Sequence, residues 1–279
     1  MFGRIRQGWE LTKKSWGVIR SHPQLAKLPL IGGILALLAA VIFAVPGIIL
    51  AASDSDTTRV TGYVLIAIGS YLASFLVIYY NVILAAAAND ALEGREPDLA
   101  NARSTARNRI PVIAAWALVS AIVSLAFSLL RDRGGQAGRI AASLGSAIWG
   151  LVTFLVVPIL ALEGIGPIAA IKRSTSLFKG RWGQQVTGNL VIGGISGIAT
   201  LVGVVIAAVG VFMLAGGTSG GAVIGGVLIV LGIVIAVAAA VFGGATRGVF
   251  GVALYHFVAE DRAVGPFTDV ELASAARPR

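Results

Sequence analysis

The chain of 279 residues contains no cysteine, which excludes disulfide bonds and thiolate-held metals and leaves its redox compartment unmarked. Histidine is almost as scarce. His22 and His256 stand alone, so no metal-ligand spacing arises and no metal site is expected. Charged residues make up 13% of the chain, against about 25% in an ordinary soluble domain. There is no Walker sequence and no glycine-rich nucleotide fingerprint, so no cofactor is expected. What fills the sequence instead is apolar: 57% of it is hydrophobic, more than the polar surface of a soluble fold this size could cover.

The apolar residues gather into six runs, at about 28–52, 60–88, 110–130, 140–162, 186–215 and 221–246. Each reaches the roughly 20 residues that an α-helix needs to cross a bilayer core. An open sheet would leave backbone groups unsatisfied in lipid, and the alternating pattern of a membrane barrel is missing. The expected class is all-α: a polytopic membrane protein whose six transmembrane helices form three hairpins. Residues 1–262 are expected to form a single membrane domain, followed by a polar C-terminal tail at 263–279. The first run is too long, and its charged leader too extended, for a cleavable signal peptide.

Lys and Arg set the orientation. Of the 22, all but Arg59, Arg131, Arg133 and Arg139 lie in the terminal segments or in the loops after spans 2 and 4. The positive-inside rule then places both termini of the multi-pass chain in the cytoplasm. The net charge of +9 follows from this topology, and no aromatic-interleaved basic module accompanies it, so nucleic acid is not an expected partner.

A basic segment precedes spans 1, 3 and 5, and each is expected to form an amphipathic helix in the membrane plane, at about 2–20, 97–109 and 167–179. In the first, Phe2, Ile5, Trp9, Thr12, Trp16 and Ile19 recur at intervals of three and four, which makes one stripe along a helix. Lys13 and Lys14 lie off that stripe. In the third, Pro167 suits the first helical position and Gly180 the end. Ile168, Ile171, Thr175 and Phe178 repeat the spacing there, beside Lys172, Arg173 and Lys179. Laying Ser15 on Ser174 superposes the two stripes and sets Lys13-Lys14 on Lys172-Arg173. The middle segment repeats the triplet Arg103-Ser104-Thr105 over a poorer apolar face of Leu99, Ala102 and Ala106. Indoles and cations in this arrangement suit the headgroup layer. Lys13, Lys14, Arg103, Lys172, Arg173 and Lys179 are therefore the candidate contacts to anionic lipid, with Trp9, Trp16, Phe178 and Trp182 as interfacial anchors. The alternative is that these segments are loops that only direct insertion.

Residues 157–189, VPILALEGIGPIAAIKRSTSLFKGRWGQQVTGN, resemble a motif of bacterial membrane proteins of the kind found in the membrane domain of glycerophosphoryl diester phosphodiesterase. Pro158, Glu163, Gly164, Ala170, Arg173-Ser174, Lys179-Gly180 and Trp182 carry the likeness. The whole chain resembles uncharacterised actinobacterial integral membrane proteins, with SWGVIRSHPQLAKLPL and ALYHF as further points of similarity. The resemblance implies an architecture in a bacterial cell membrane and no activity. In the phosphodiesterase the hydrolase is a separate soluble domain, and no stretch here is long or polar enough to be one.

Three polar rows lie within the spans: Ser120, Ser124 and Ser128; Tyr63, Ser70, Ser74 and Asn81; Ser143, Ser146, Gly150 and Thr153. They either bond helices together or line a conduit among spans 2–4. Glu163, at a membrane boundary, is expected to form a structural ion pair with Arg173, with Lys172 or Arg247 as other partners. On the last span Gly232, Ala236, Ala240 and Gly244 recur every four residues and allow close helix packing. That row is expected to meet span 5, a second protomer or another membrane protein. GTSGG at 217–221 matches GxSxG but falls between two spans with no base in evidence, so no catalytic residue is expected.

The function class that fits is a non-enzymatic membrane scaffold or accessory protein engaging anionic lipids. A permease-like transporter of a lipid or small molecule is the second reading. A membrane-embedded enzyme is the third, since nucleophile, base and metal set are all lacking.

Overall fold

The computed structural model describes residues 2–181, 187–215 and 219–276, and the side chains of 8–177, 196–215 and 223–272. The described elements are helical. Helix α1 (Phe2–Ser21) leads into α2 (Gln24–Ala51), which turns back into α3 (Asp56–Leu92). Then follow α4 (Leu99–Asn108), α5 (Ile110–Arg133), α6 (Gly135–Val152) and α7 (Val156–Leu162). The chain ends with α8 (Pro167–Arg181), α9 (Thr187–Ala215), α10 (Ser219–Glu260) and α11 (Asp269–Ala276). Six segments are long and apolar enough to cross a membrane: α2, α3, α5, the α6–α7 line, residues 196–215 of α9 and 223–260 of α10. This is the pattern of an integral membrane protein.

Helix α2 packs along α3, α5 along α6, and α9 along α10. With 37 and 42 residues, α3 and α10 are about 55 and 63 Å long, well beyond the roughly 30 Å of a hydrocarbon core. Both overshoot at the end that carries the termini, called here the basal end. The last apolar run therefore does not stop at residue 246, and Phe250, Leu254 and Phe257 continue α10 as buried residues.

The core lies at this basal end. Ile19, Leu28, Leu84, Ile113, Ile159 and Phe250 are all fully buried. Toward the distal end the pattern inverts: Ile42, Val60, Leu125, Leu144, Leu201 and Val230 are exposed. Glycines are buried there inside a helix pair, Gly47 against Gly62 and Gly203 against Gly232. Lipid is as apolar as leucine, so nothing drives large side chains of the distal halves together; close backbone contact within a pair suffices.

The short basal helices bridge pairs. Helix α1 packs on α9 and α10, α4 on α3, and α8 on α7 with α5 and α6. Each lies against the pair preceding its own, and α1 closes the circle onto the last. Helix α1 turns Leu11, Thr12, Ser15, Val18 and Ile19 to the protein, and α8 turns Ala170, Ser174 and Leu177. The three of α8 fall on Leu11, Ser15 and Val18 when Ser15 is laid on Ser174. In α4 the buried pair is Ala102 and Ala106, so Ala106 takes the place of Ser174. The repeated Arg-Ser-Thr triplet is thus out of register by two residues, which turns Ser104 about 200° around the helix to the exposed side.

Span 4 is broken. Helix α6 ends at Val152, and residues 153–155 form a turn before α7 begins. Pro158 has no N–H to offer the carbonyl of Phe154. Thr153 directs its hydroxyl back to the Trp149 carbonyl at 2.7 Å.

The C-terminal segment is more than a polar tail. Val264, Phe267 and Leu272 are buried, and α11 packs on α1. Three well-spaced apolar residues suffice to dock it, although charged and small neighbours dominate its composition.

The glycine-alanine row on α10 does not keep to one partner. A side chain at Gly232 would meet Ala207 and Gly203 of α9, and Ala236 abuts Gly203. Ala240 is exposed, and Gly244 faces Pro29 of α2. At 100° per residue, the twelve positions from 232 to 244 leave a drift of about 120°, so a strict four-residue repeat cannot follow one neighbour.

Candidate functional site

Of the 157–189 motif, Glu163, Gly164, Arg173 and Ser174 each meet a structural partner at the basal end. Arg173 Nε lies 3.1 Å from Glu163 Oε1, and the Tyr255 hydroxyl donates to the same oxygen at 2.9 Å. Gly164 ends α7 with a φ of +69°, and a side chain there would press on the Arg109 guanidinium at 3.1 Å. Arg109 donates to the Leu160 carbonyl and, at 3.5 Å, to that of Leu162, which brings a cation to the free carbonyls of α7. Burial lowers the pKa of Arg109 from its ordinary value. Ser174, fully buried, donates to the carbonyl of Val152 and so caps the broken end of α6.

The candidate lipid contacts fall into two groups. Lys13 pairs with Glu10 at 2.8 Å, Lys14 with Glu271 at 2.6 Å, and Arg173 with Glu163. Lys14 also donates to the Pro266 carbonyl at 2.8 Å. Arg103 and Lys172 are exposed without a partner among the described residues, and so are Arg20, Lys27 and Arg107. Trp9 and Trp16 are 43% and 37% exposed, and the Trp16 ring lies 4.8 Å from that of Phe242 on α10. Trp182, the side chains of Phe2, Ile5, Phe178 and Lys179, and residues 217 and 218 of the GTSGG sequence lie outside the described residues.

Neither histidine stands alone. His22 Nδ1 is 3.5 Å from a Glu96 oxygen. His256, buried where α3 and α10 meet, has Nε2 2.6 Å from Asn89 Oδ1 and Nδ1 2.7 Å from Glu260 Oε2. Arg262 links Glu260 to Glu93 at 3.2 and 3.0 Å, and Arg95 joins Glu93 to Asp90. The hydrogen bonds from Arg262 and then Arg95 hold the Glu93 carboxyl below its ordinary pKa, against the opposing effect of burial.

The polar rows within the spans do not converge. Tyr63, Ser70, Ser124, Ser128 and Ser143 are exposed. The hydroxyls of Ser146 and Thr153 bond carbonyls of their own helix, and Ser128 bonds Asp132. Asn81 alone among these rows lines a half-open cleft of about 140 Å³, formed where one member of each helix pair meets the others. Helix α3 contributes Asn81, the α6–α7 turn and α7 contribute Phe154 and Pro158, and α10 contributes Gly244, Arg247 and Gly248. Arg247 has no partner among the described residues; Glu163, one of the partners considered for it, bonds Arg173 and Tyr255 instead. Beside it Thr246 is fully buried, its hydroxyl without a partner among the described residues. The sequence carried one signal for this site, a single cation inside an otherwise apolar helix, but not the absence of a counter-charge.

No curated protein matches the chain. A family of unknown function, DUF6159, matches residues 60–265, from the start of α3 to just past α10. That match adds no support for the likeness to the phosphodiesterase membrane domain. It covers well over half of the sequence, and the chain belongs to DUF6159.

Proposed function

We propose that the protein is a non-enzymatic scaffold or accessory protein of a bacterial cell membrane, with cytoplasmic termini, that engages anionic lipid at its basal end. One observation carries the reading: α1 and α8 divide their faces alike. Each turns a row of small and aliphatic residues to the bundle and leaves apolar bulk outward, Trp9 and Trp16 on one and Ile168 on the other. Unpaired cations flank that bulk, Arg20 on α1 and Lys172 on α8. Helices so divided suit the membrane plane, with indoles at the headgroup layer and cations toward phosphates. Each Lys or Arg held at an anionic surface contributes about 1 kcal/mol. Transport through spans 2–4 has less support, since most hydroxyls of that region face outward.

The test is lipid mass spectrometry on matched detergent preparations of the parent and a variant with Arg20, Lys27, Arg103, Arg107 and Lys172 changed to Gln. The variant should lose most of the co-purifying phosphatidylglycerol and cardiolipin, and high salt should reduce the difference because surface charge is screened. An unchanged anionic-lipid complement would return these residues to a role in insertion alone.

A further inference from the structure

We infer that the cleft at Arg247 is a site for one phosphate oxyanion, supplied by a phospholipid headgroup whose acyl chains lie among the distal halves of the helix pairs. This rests on the reading of the protein as a lipid-engaging membrane protein, and it concerns residues that the basal helices do not contribute.

Depth is the first argument. Counted from residue 221, where the last apolar run begins, Arg247 lies about 39 Å along the helix. Counted from Val60, Asn81 lies about 32 Å along α3. Two helices independently place the cleft just past a hydrocarbon core of about 30 Å, at the level of lipid phosphates. Trp16 meets Phe242 near the same depth, as an interfacial indole should.

Charge is the second. Arg247 is exposed, and none of the described residues supplies its guanidinium with an anion or carbonyl partner. Arginine offers planar donors that fit two oxygens of a phosphate at once. The Asn81 amide across the cleft adds a neutral donor.

Shape is the third. At about 140 Å³ the cleft is smaller than the roughly 300–1,000 Å³ of a pocket that encloses a whole organic ligand. It accommodates a headgroup anion while the rest of the molecule stays outside. Gly251 keeps a side chain from facing Phe154 and Pro158, which give the cleft an apolar wall. Just distal to it Val77 and Val237 are exposed, so apolar surface continues from the cleft toward the open ends of the pairs.

The experiment uses the full chain in detergent after delipidation. It is titrated with dioleoyl phosphatidylglycerol, with dioleoylglycerol, which has the same chains and no phosphate, and with inorganic phosphate. Native mass spectrometry counts bound lipid, and thermal unfolding reports protection. The parent should hold one phospholipid more tightly than the rest and should not hold dioleoylglycerol there. Arg247→Gln should lower that occupancy about tenfold or more, the value of one charge-assisted contact. Arg247→Lys should keep part of it. Asn81→Asp, which sets a carboxylate against the phosphate, should abolish it, and it decides the matter if Arg247→Gln does not purify as a single species. The fivefold basal variant should retain this one lipid even as it loses the others, so the two readings fail separately. Protection by inorganic phosphate that depends on Arg247, without a retained lipid, would overturn the lipid source in favour of a free anion. Equal lipid occupancy in the parent, Arg247→Gln and Asn81→Asp would overturn the site.

Discussion

Tyr255 and Arg173 meet on a single oxygen, Oε1 of Glu163, the tyrosine hydroxyl at 2.9 Å and the guanidinium nitrogen at 3.1 Å. One carboxylate thereby ties α8 and the end of α7 to α10, across the boundary between the second and third helix pairs. The acid at the membrane boundary has two donors, and the arginine of α10 is not one of them.

Removing the tyrosine hydroxyl should therefore cost more than its position late in α10 suggests. Tyr255→Phe deletes one donor and leaves the arginine contact, a loss of about 0.5–1.5 kcal/mol. Glu163→Ala strands both donors and should cost more. Coupling between Glu163 and Arg173 in a double-mutant cycle should stay below about 1 kcal/mol, because the Arg173 side chain is 42% exposed. Thermal unfolding of the four variants in one detergent checks this. A Tyr255→Phe protein as stable as the parent would remove the tie.

The serine of the same motif acts on a different helix. Ser174 gives its hydroxyl to the last carbonyl of α6, which the break in span 4 leaves without an intrahelical donor. Ser174→Ala should destabilise by about 1–3 kcal/mol, the cost of a buried polar group left unbonded. Ser176→Ala is the control: it is exposed and bonds only the Arg173 carbonyl of its own helix. Equal stability of the two variants would show that water satisfies Val152.

One buried group should behave in the opposite sense. The Thr246 hydroxyl is buried without a partner among the described residues, so it bears a desolvation cost with no hydrogen bond there to offset it. Thr246→Val keeps the shape and removes that cost, and melting should shift upward by the equivalent of about 1 kcal/mol. A lowered melting temperature would mean that the hydroxyl bonds something in the membrane.

Much of this fold was legible in the sequence, and the reason is the solvent. A span must satisfy its own backbone and must be long and apolar, so length and composition reveal it. What lipid hides is which apolar residues meet protein. Ile42 and Ile83 have the same chemistry, yet one is exposed and the other buried. Helical spacing marked α1 and α8 as helices, but the stripes it picked out carry the exposed Trp9, Trp16 and Ile168, and the rows that meet protein run beside them; a matching triplet misled in α4. Arg247 could be seen as an isolated cation. That Glu163 meets Arg173 and Tyr255, and that Arg247 has no counter-charge among the described residues, rest on long-range contacts that no local pattern encodes.

The cluster around Glu93 gives the basal end a pH dependence. Arg262 and Arg95 hold the carboxyl below its ordinary value of 4.5, so the folded state binds fewer protons there than the unfolded chain does. The contribution of Glu93 is present above the unfolded value and is lost as pH falls through the lower, folded one. Glu93→Gln should be slightly less stable than the parent at neutral pH, and the two should converge on acidification below about pH 4.5. Melting curves across that window, at fixed ionic strength, read it directly. A gap between the two that stays constant down to pH 2 would assign the effect of the substitution to packing instead of charge.

The row on α10 makes the sharpest test of packing. A side chain at Gly232 would come within 2.4 Å of the Ala207 nitrogen and 2.5 Å of the Gly203 carbonyl, atoms of a facing backbone that cannot step aside. Gly232→Ala should therefore push α9 and α10 apart, and about 1–3 kcal/mol of stability should go with it. Ala240 belongs to the same four-residue repeat, yet it has turned outward. Within one chain Ala240→Leu has room and should be neutral. If Ala240 lies at an interface between two copies, the added bulk will change the oligomer size instead. Size-exclusion chromatography with light scattering, set beside melting temperature, separates the cases. A loss of stability in monomeric Ala240→Leu equal to that of Gly232→Ala would mean that α10 is rotated, and that the row of small residues follows one neighbour after all.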